Sequence, residues 1–582
     1  MNRVEHPNPQ FERNSYICLN GEWEFEIGKK NDAVNCSLSS KIEVPFCVES
    51  ILSGVGITDF ISDCIYSKVI FVNEEDLKKR LVLHFGAVDY CATVYINGQK
   101  VKKHVGGYTA FEVDVTPFAK VGENRITVAV HDDVRECILS GKQSKRAHSY
   151  GCFYTRCTGI WQSVWLEKTP NKYIKNIKFY PCIETTSVKA EIVTEGCGKA
   201  TVAVFLDGKK VGHAETLVEY KGNLTIPLTE KRLWELGKGG LYDVIVRFEE
   251  DEVKSYFGLR EVRYEGRKFL LNGKSVYQRM ILDQGYYPEG VYTAKTLDEL
   301  TQDIHLAKSL GFNGIRLHQK VFEQRYLYEC DKVGMMVWGE FPSWGIKYDS
   351  LIHLGEFISQ WSEMMEQYFN HPSIITWCPL NEAWEDLDNS NLIRDVRFID
   401  SIYQTTKAID KTRPCVDVSG GYHGAQTDVY DFHCYETADQ LKGYLDKLQA
   451  EDVLDVPLLY ADNENLLYRN ALPVNVSEFG GIAFGAFEDT GTQAVNRCAV
   501  ESETSWGYGK VEHDETRFIE RYSSLVELII SCDKISGFCY TQLYDVEQEQ
   551  NGLFTYERKN KFGEGVLEKI TKLNNLIAEI EK

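Results

Sequence analysis

Residues 374–382 read Ile-Ile-Thr-Trp-Cys-Pro-Leu-Asn-Glu, a run of apolar side chains that ends in an amide and a carboxylate. A short, continuous apolar run of this kind is typical of a strand buried on both faces, as in a parallel sheet. Residues 473–481, Pro-Val-Asn-Val-Ser-Glu-Phe-Gly-Gly, repeat the pattern with a second glutamate near the end. The two stretches predict parallel strands that end in candidate catalytic residues, Glu382 on one strand and Glu478 on the other.

The same alternation of strand, polar loop and amphipathic helix extends over residues 263–582. Leu297–Leu310 and Gln360–Phe369 show the apolar period of a helix, and a final helix is expected near Gly565–Ile580. Eight strand-like runs end near Leu282, Arg316, Glu340, Asn381, Ser419, His433, Ser477 and Thr541. Eight such units over ~300 residues predict a (β/α)₈ TIM barrel.

Residues 1–170 predict a β-sandwich. Alternating apolar and polar runs, such as Arg80–Phe85, Ala92–Ile96 and Arg125–His131, are separated by turn residues. Asn97-Gly98 is the strongest hairpin signal, because this pair readily adopts the positive φ angles of a type I′ turn. Since no helical period of useful length interrupts these runs, the region is predicted to be all β.

Residues 171–262 predict a second, smaller sandwich. Val188–Val193, Ala200–Leu206 and Tyr242–Phe248 alternate, and Asp207-Gly208 marks another hairpin. About seven short strands in this span fit an immunoglobulin-like β-sandwich. The alternative, in which these strands form one large sandwich with residues 1–170, stays open.

Composition limits the class of protein. At ~150 residues per domain, 582 residues predict three or four domains. The 65 Lys and Arg against 86 Asp and Glu give a formal charge of −21, which disfavours nucleic acids and anionic membranes as partners. No apolar run approaches the ~20 residues of a spanning helix and no secretory signal is visible, so we expect a soluble protein. Seventeen scattered cysteines without a Cys-x-x-Cys pair predict reduced, buried thiols and therefore a cytoplasmic location.

Polar side chains gather at the predicted strand ends, where the loops of a barrel converge on a cleft. Glycoside hydrolysis needs one carboxyl group that protonates the leaving oxygen and another that attacks or activates water. Glu382 and Glu478, on predicted strands four and seven, suit that pair; the alternative is that they form salt bridges in loops. The further polar residues and tryptophans near the strand ends are Asp283, Arg316, His318, Glu340, Asn381, His433, Tyr435, Gln542, Asp545, Trp338, Trp344, Trp377, Trp384 and Trp506.

Several motifs resemble those of glycoside hydrolase family 2, the family of β-galactosidases, β-glucuronidases and β-mannosidases. They are Leu-Asn-Gly-Glu-Trp at 19–23, Thr-Gly-Ile-Trp-Gln-Ser-Val-Trp-Leu-Glu at 158–167, Gly-Phe-Asn-Gly-Ile-Arg at 311–316, Trp-Cys-Pro-Leu-Asn-Glu at 377–382 and Ser-Glu-Phe-Gly-Gly at 477–481. The resemblance covers nearly the whole chain. It implies a jelly-roll sugar-binding-like domain at 1–170, an immunoglobulin-like β-sandwich at 171–262 and a catalytic barrel at 263–582.

The resemblance also implies roles for single residues. Glu382 would be the general acid/base and Glu478 the nucleophile of a retaining reaction, with their carboxyl groups ~5–5.5 Å apart. Asn381 would hydrogen-bond the sugar 2-OH, and Tyr435 would donate to the nucleophile. Arg316 would lie beneath the nucleophile and lower its pKa.

Weaker candidates complete the site. His318 and His433 are expected to contact sugar hydroxyls, with a structural role equally open. Trp506 is a candidate stacking floor for the sugar, with core packing as the alternative. Asp89 resembles a residue of the jelly-roll loop that enters the active site in β-galactosidases, with a plain turn aspartate as the alternative. Asp283 and Trp338 complete the predicted substrate-binding residues. Glu340 stands where some relatives hold magnesium, but its neighbours do not complete an oxygen cage, so neither a metal nor a cofactor is predicted.

The sequence leaves the sugar open. The β-glucuronidases of the family bind the sugar carboxylate through Asn-x-Lys after strand eight, but residues 548–554 read Gln-Glu-Gln-Asn-Gly-Leu-Phe, and Glu549 opposes a uronate. A neutral sugar is therefore favoured, and β-galactosidase is the leading expectation, on a small β-glycoside or oligosaccharide. The alternatives are a β-glucuronidase or β-galacturonidase, with Lys347, Arg558 or Lys559 substituting, an α-L-arabinopyranosidase, and a catalytically silent carbohydrate-binding relative. Relatives often associate, so a homo-oligomer stays open.

Overall fold

A computed structural model describes residues 3–28, 37–383, 395–457, 472–487 and 502–582. The chain is multidomain, with two β-rich regions followed by a curled parallel sheet surrounded by helices. The predicted fold class is confirmed; the domain limits stay predictions. None of the helices in these described ranges is long and apolar enough to span a membrane.

The N-terminal region is a sandwich of two antiparallel sheets. Its strands are β1 (Ile17–Cys18), β2 (Gly21–Ile27), β3 (Ser40–Val44), β4 (Asp63–Val72), β5 (Arg80–Phe85), β6 (Val88–Asp89), β7 (Cys91–Ile96), β8 (Gln99–Val105), β9 (Phe111–Asp114), β10 (Gly122–His131), β11 (Gly159–Ile160) and β12 (Val164–Thr169). The sheets have the orders β1-β12-β5-β9 and β3-β2-β4-β10-β7-β8, and β6 pairs with β11. Trp23, Tyr66 and Phe85 are buried between them.

The predicted hairpin at Asn97-Gly98 is confirmed. These two residues join β7 to β8 with φ angles of 49° and 82°, and Ile96 pairs with Gln99 across the turn. Short 3₁₀ helices lie at Ile51–Ser53, Asp76–Lys78 and Thr116–Phe118.

The second region has five strands rather than about seven. They are β13 (Tyr173–Cys182), β14 (Ser187–Leu206), β15 (Lys209–Pro227), β16 (Leu241–Phe248) and β17 (Asp251–Gly258). The first half of β14 pairs with β13 and its second half with β16, while β15 pairs along nearly all of it. The polar stretch at 194–199 separates two predicted strands in the sequence, but in the structure it is an irregularity inside one long strand.

A small sheet of β18 (Val262–Glu265), β19 (Lys268–Leu271) and β20 (Lys274–Ser275) leads into the barrel. Phe269 packs with Met280 and Met336 from the barrel interior. The small sheet therefore covers the bottom of the barrel, and leaves the other end for the loops after the strands.

The barrel strands end close to the predicted positions. They are β21 (Gln278–Asp283), β22 (Gly314–Leu317), β23 (Met336–Glu340), β24 (Ile374–Cys378) continued by β25 (Leu380–Asn381), β26 (Val418–Ser419), β27 (Tyr430–Cys434), β28 (Val474–Gly480) and β31 (Ile535–Thr541); β29 (Ile482–Phe484) and β30 (Tyr508–Glu512) pair outside the barrel. Parallel ladders run in the order β24-β23-β22-β21-β31-β28-β27, and β25 pairs with β26. Between β26 and β27, the Ser419 hydroxyl donates to Asp431 at 2.6 Å.

Helices surround the barrel in the described ranges. They are α1 (Leu297–Ser309), α2 (Gln324–Val333), α3 (Leu351–Tyr368), α4 (Val396–Ile409), α5 (Ala438–Glu451), α6 (Glu515–Ser531) and α7 (Glu564–Asn574). Thr296 caps α1 by accepting from the Glu299 amide. The helix predicted to reach Ile580 ends at Asn574, and a 3₁₀ turn follows at Glu579–Glu581.

The second sandwich joins the barrel through the buried carboxylate of Asp331 on α2. The Tyr256 hydroxyl on β17 donates to Asp331 Oδ2 at 2.8 Å, and His371 Nδ1 lies 2.6 Å from the same oxygen. The Ser373 amide donates to the other oxygen at 2.9 Å. All four residues are buried, so the contact fixes how the sandwich sits against the barrel.

We expect Tyr256→Phe to lower the stability of the protein without changing its fold. The change removes a hydrogen bond to a buried carboxylate, which is worth about 1.5–3 kcal/mol. Urea denaturation followed by circular dichroism measures the shift in midpoint. Tyr220→Phe is the matched control, because the Tyr220 side chain is exposed. Equal midpoints for the two variants contradict the role given to Tyr256.

Candidate active site

The carboxyl ends of four barrel strands bring together five of the predicted site residues. Arg316 lies on β22, Asn381 ends β25 and Glu382 follows it, Tyr435 follows β27, and Glu478 lies on β28. All except Glu382 are buried, and the Glu382 side chain retains 17% of its exposure. The partly open carboxylate therefore stands beside a deeply enclosed one.

Arg316 is the centre of this arrangement. Its Nε donates to Glu340 Oε2 at 2.7 Å, and its Nη2 donates to Asn381 Oδ1 at 2.6 Å. Its Nη1 donates to Glu478 Oε1 at 2.7 Å and to the Ser477 carbonyl at 3.2 Å. One fully buried guanidinium thus fixes polar groups from three other strands.

Glu478 is held as a carboxylate. The Tyr435 hydroxyl donates to its Oε2, and Arg316 donates to its Oε1. Burial by itself raises the pKa of Glu478, but the positive charges of His433 and Arg316 outweigh it and bring the pKa down to about 2. The group is therefore ionised at neutral pH, as a nucleophile must be.

Glu382 is placed by an unusual backbone conformation. Its φ is 38°, in the left-handed region, and its amide donates to the Ser419 carbonyl at 2.8 Å. Strain of this kind is often found at functional sites. One oxygen of Glu382 and one of Glu478 lie within 4.8 Å of each other. Retaining glycosidases separate their two carboxyl groups by about 5–5.5 Å.

The two predicted histidines contact carboxylates. His433 Nδ1 lies 2.5 Å from Glu382 Oε1, and its Nε2 lies 3.3 Å from Glu478 Oε1. Burial lowers the pKa of His433, but these two carboxylates overcome that effect and raise it. His318 Nδ1 lies 3.0 Å from Glu340 Oε1, and burial together with the charge of Lys142 lowers the pKa of His318 well below its usual value. The imidazole of His433, with its raised pKa, thus joins the two catalytic candidates, and that of His318, with its lowered pKa, lies beside them.

These groups line an enclosed pocket to which both the N-terminal region and the barrel region contribute. Lys142 and Cys152 come from the N-terminal region, and Tyr508 on β30 stacks on Tyr435 with ring centroids 3.6 Å apart. Sequence reasoning missed these three residues, because they lie in segments without a motif, far from the barrel strands. The described residues that line the pocket are Lys142, Cys152, Leu282, His318, Trp344, Glu382, Tyr435, Glu478, Tyr508, Thr541 and Glu549.

Two predicted tryptophans lie behind the pocket lining. The Trp506 indole donates to the Gly151 carbonyl at 2.8 Å and packs edge-on against Tyr508, so it supports the lining instead of forming a floor. Trp338 lies one layer below Glu340 on the inward face of β23, where its indole donates to Gln278. Trp384 lies outside the described residues.

Two predicted aspartates also point elsewhere. Leu282 on β21 lines the pocket, so the alternation of the strand turns the next residue, Asp283, away from it. The hydroxyls of Tyr326 and Tyr544 donate to the Asp283 carboxylate at 2.7 and 2.6 Å. Asp89 is buried in the N-terminal sandwich and accepts from Gln143 at 2.7 Å, next to the pocket residue Lys142 in sequence.

Metal binding finds little support in this arrangement. Both oxygens of Glu340 already accept from protein donors, Arg316 and the Gln319 amide. Glu382, His433 and Glu478 lie close enough to share an ion, but the Arg316 guanidinium contacts the same Glu478 carboxylate and opposes a second cation. The absence of a required metal stays a prediction.

Comparison with protein families finds two matching models. "Glycosyl hydrolases family 2, sugar binding domain" matches residues 17–170, and "Glycosyl hydrolases family 2, TIM barrel domain" matches residues 262–459. Together they cover more than half of the chain, and Glu382 lies within the matched part of the barrel while Glu478 lies beyond it.

Similar proteins include several β-glucuronidases. The β-glucuronidase of Mus musculus is 26% identical over 493 residues, which are 77% of this chain and 72% of that protein. The chain spans between 41% and 72% of the length of the first curated relatives that it matches. Among solved structures, a β-glucuronidase of an uncultured Clostridium sp. superposes with a TM-score of 0.77 at 20% identity, covering 97% of this chain and 99% of that one. A family 2 β-galacturonidase from Eisenbergiella tayi, bound to galacturonate, superposes with a TM-score of 0.75 at 19% identity over 97% and 98% of the chains.

Proposed function

Because the chain belongs to glycoside hydrolase family 2, we propose that it is a retaining exo-β-glycosidase that releases a terminal β-linked hexuronic acid, with β-glucuronides as its first substrates. The observation that carries the reaction type is the pair Glu382 and Glu478, which line one pocket with oxygens within 4.8 Å. An enclosed pocket accepts the end of a sugar chain, and a short carboxylate separation suits double displacement.

The two carboxyl groups divide the work. Glu478 attacks the anomeric carbon while Glu382 gives a proton to the glycosidic oxygen, so that the aglycone leaves and a glycosyl-enzyme ester forms. Glu382, now ionised, takes a proton from water, which attacks the same carbon and releases the sugar and Glu478. Tyr435 and Arg316 keep Glu478 ionised and oriented, and Asn381 is fixed by Arg316 where it can meet the sugar 2-OH.

The silent carbohydrate-binding alternative fits this site less well. Burying a carboxylate costs free energy, and here the cost is offset by Arg316 and Tyr435 gathered around Glu478. A binding surface has no need of an ionised nucleophile beside a second carboxyl group. The arrangement therefore favours an enzyme.

The expected identity of the sugar differs from the one that the sequence favoured. The sequence favoured β-galactosidase, because the Asn-x-Lys of the β-glucuronidases is missing. The curated relatives reported above are β-glucuronidases, and they favour a uronide over a β-galactoside. The named alternative, a β-glucuronidase or β-galacturonidase, is therefore the better proposal.

A neutral glycoside is the second candidate, and Glu549 favours it. This buried carboxylate lines the pocket and accepts from the Tyr154 hydroxyl at 2.5 Å and from Asn551 at 3.1 Å. A carboxylate in this place suits hydrogen bonds to sugar hydroxyls and repels a sugar acid.

A panel of p-nitrophenyl glycosides tests the proposal. The β-glucuronide and the β-galacturonide are compared with the β-galactoside, β-glucoside, β-mannoside and α-L-arabinopyranoside. We expect a uronide to be hydrolysed at least ~10²-fold faster than its neutral counterpart, since a site built for a charged group rejects the analogue that lacks it. Glu478→Gln should abolish release of p-nitrophenol with an unchanged circular dichroism spectrum. Preference for a neutral sugar overturns the uronide, and wild-type rates in Glu478→Gln overturn the nucleophile.

Glu382→Ala should lose activity on substrates with poor leaving groups, whereas substrates with a good leaving group should still form the glycosyl-enzyme and should turn over faster when azide is added. The variant lacks only the proton donor and the base that activates water, and azide attacks the glycosyl-enzyme without base catalysis. Product analysis should show a β-glycosyl azide. If neither a good leaving group nor azide restores turnover, Glu382 has another role.

His433→Asn should shift the acidic limb of the kcat/KM profile to higher pH. Because His433 is the strongest of the charges that lower the pKa of Glu478, its removal raises that pKa, and the nucleophile becomes protonated at a higher pH than in the wild type. The wild-type limb attributable to Glu478, with a pKa of about 2, should lie in strong acid. His213→Asn, on an exposed surface, is the control. An unmoved limb in His433→Asn contradicts this electrostatic role.

A further inference from the structure

We propose that Lys142, carried by the N-terminal region, binds the carboxylate of the sugar and so takes the place of the missing Asn-x-Lys lysine. This inference rests on the proposed uronide specificity. Lys142 is the sole lysine or arginine among the described residues that line the pocket, where it shares the lining with Glu382 and Glu478. It is buried, so its charge acts inside the pocket instead of in bulk water.

The backbone around Lys142 is fixed to the barrel. The amides of Ser140 and Gly141 donate to the Trp344 carbonyl at 2.9 and 3.2 Å, in the loop after β23. The Lys142 carbonyl accepts from the Tyr154 amide at 2.8 Å. A Cβ on Gly141 would lie 2.5 Å from the Gln319 carbonyl, so the close approach requires glycine. The segment is thus built to meet the barrel at this point.

Asp89 and Gln143 secure the same segment from within the sandwich. Gln143 Nε2 donates to Asp89 at 2.7 Å and to the Tyr108 hydroxyl at 3.0 Å, while its Oε1 accepts from the Cys157 amide at 2.9 Å. All of these groups are buried. Asp89, expected to bind substrate, therefore acts through Gln143 as a positioning residue for Lys142.

Two aromatic rings hold the lysine side chain in the pocket. The Lys142 ammonium lies 5.7 Å from the ring centroid of Tyr154 and 5.6 Å from that of Trp344. Aromatic faces at this distance attract a cation, so they help to place the ammonium group. The charge reaches the catalytic centre, since after burial it is the largest cause of the lowered pKa of His318, and it also lowers that of Glu478.

The other proposed cations do not reach the pocket. Arg558 is buried against Asp303, to which its Nε and Nη2 donate at 3.0 and 3.1 Å. Lys347 and Lys559 are exposed, and neither belongs to the described lining. In the proposed complex, the carboxylate of a sugar acid bound between Glu478 and Glu549 therefore contacts Lys142.

The ratio of kcat/KM for p-nitrophenyl β-D-glucuronide to that for the β-D-glucoside tests the inference. The two substrates differ only at C6, so effects of a variant on Glu478 or on the fold cancel in the ratio. Lys142→Met removes the charge with little change in shape, and we expect the ratio to fall at least ~30-fold, as for the loss of one partner from a buried ion pair. Lys142→Arg should retain most of the ratio, and Lys347→Met, outside the pocket, should leave it unchanged.

Each outcome has a separate meaning. If the wild type prefers the glucoside, the proposed uronide specificity fails and the role of Lys142 fails with it. If the wild type prefers the glucuronide and Lys142→Met lowers both rates equally, the inference alone is overturned. Should Lys142→Met not fold, Lys142→Gln takes its place. An unchanged kcat/KM ratio in Lys142→Gln overturns the inference, and a fall in the ratio supports it.

Discussion

The guanidinium of Arg316 is the constraint on which the rest of the site depends. Burying a charge costs several kcal/mol unless partners surround it. Glu340, Asn381 and Glu478 supply those partners from three other strands at 2.6–2.7 Å. The ion pair that allows the barrel interior to contain a charge is therefore the same one that keeps Glu478, the proposed nucleophile, ionised. One guanidinium thus serves both the stability of the barrel and the proposed reaction.

A second constraint lies where the N-terminal region meets the barrel. Backbone amides of 140–141 bind the Trp344 carbonyl, Tyr154 binds Glu549, and Trp506 binds the Gly151 carbonyl. These bonds enclose one side of the pocket with residues that are distant in sequence. The barrel thus supplies the reaction, while the sandwich supplies part of the wall that meets the sugar.

Strand periodicity predicted the barrel well. Sequence reasoning failed where the lining of the pocket depends on the direction of a side chain or on a segment that is distant in sequence. The ends of β23, β25, β26 and β31 were predicted at Glu340, Asn381, Ser419 and Thr541, because apolar runs ending in polar residues specify buried parallel strands. Asp283 was placed in the site because it ends a strand, but the alternation of β21 gives that position to Leu282. Lys142 was not identified, since no pattern connects a lone lysine in a loop to a barrel that begins more than a hundred residues later.

Sequence reasoning favoured a β-galactosidase over a β-glucuronidase for the same reason, because it considered only the segment after strand eight. The missing lysine after strand eight removes a cation from one side of the pocket. A positively charged side chain on any other side of the pocket can still bind the carboxylate of a sugar acid. Glu549 opposes an acid less than its charge suggests, since Tyr154 and Asn551 already donate to its two oxygens and hold it against the wall. Lys142, in contrast, is held by aromatic faces and by a backbone fixed to Trp344, so little side-chain freedom is left to lose when it binds an anion. When a rigid segment outside the barrel binds the sugar, the sugar specificity of the protein can change while Arg316, Glu382 and Glu478 stay the same.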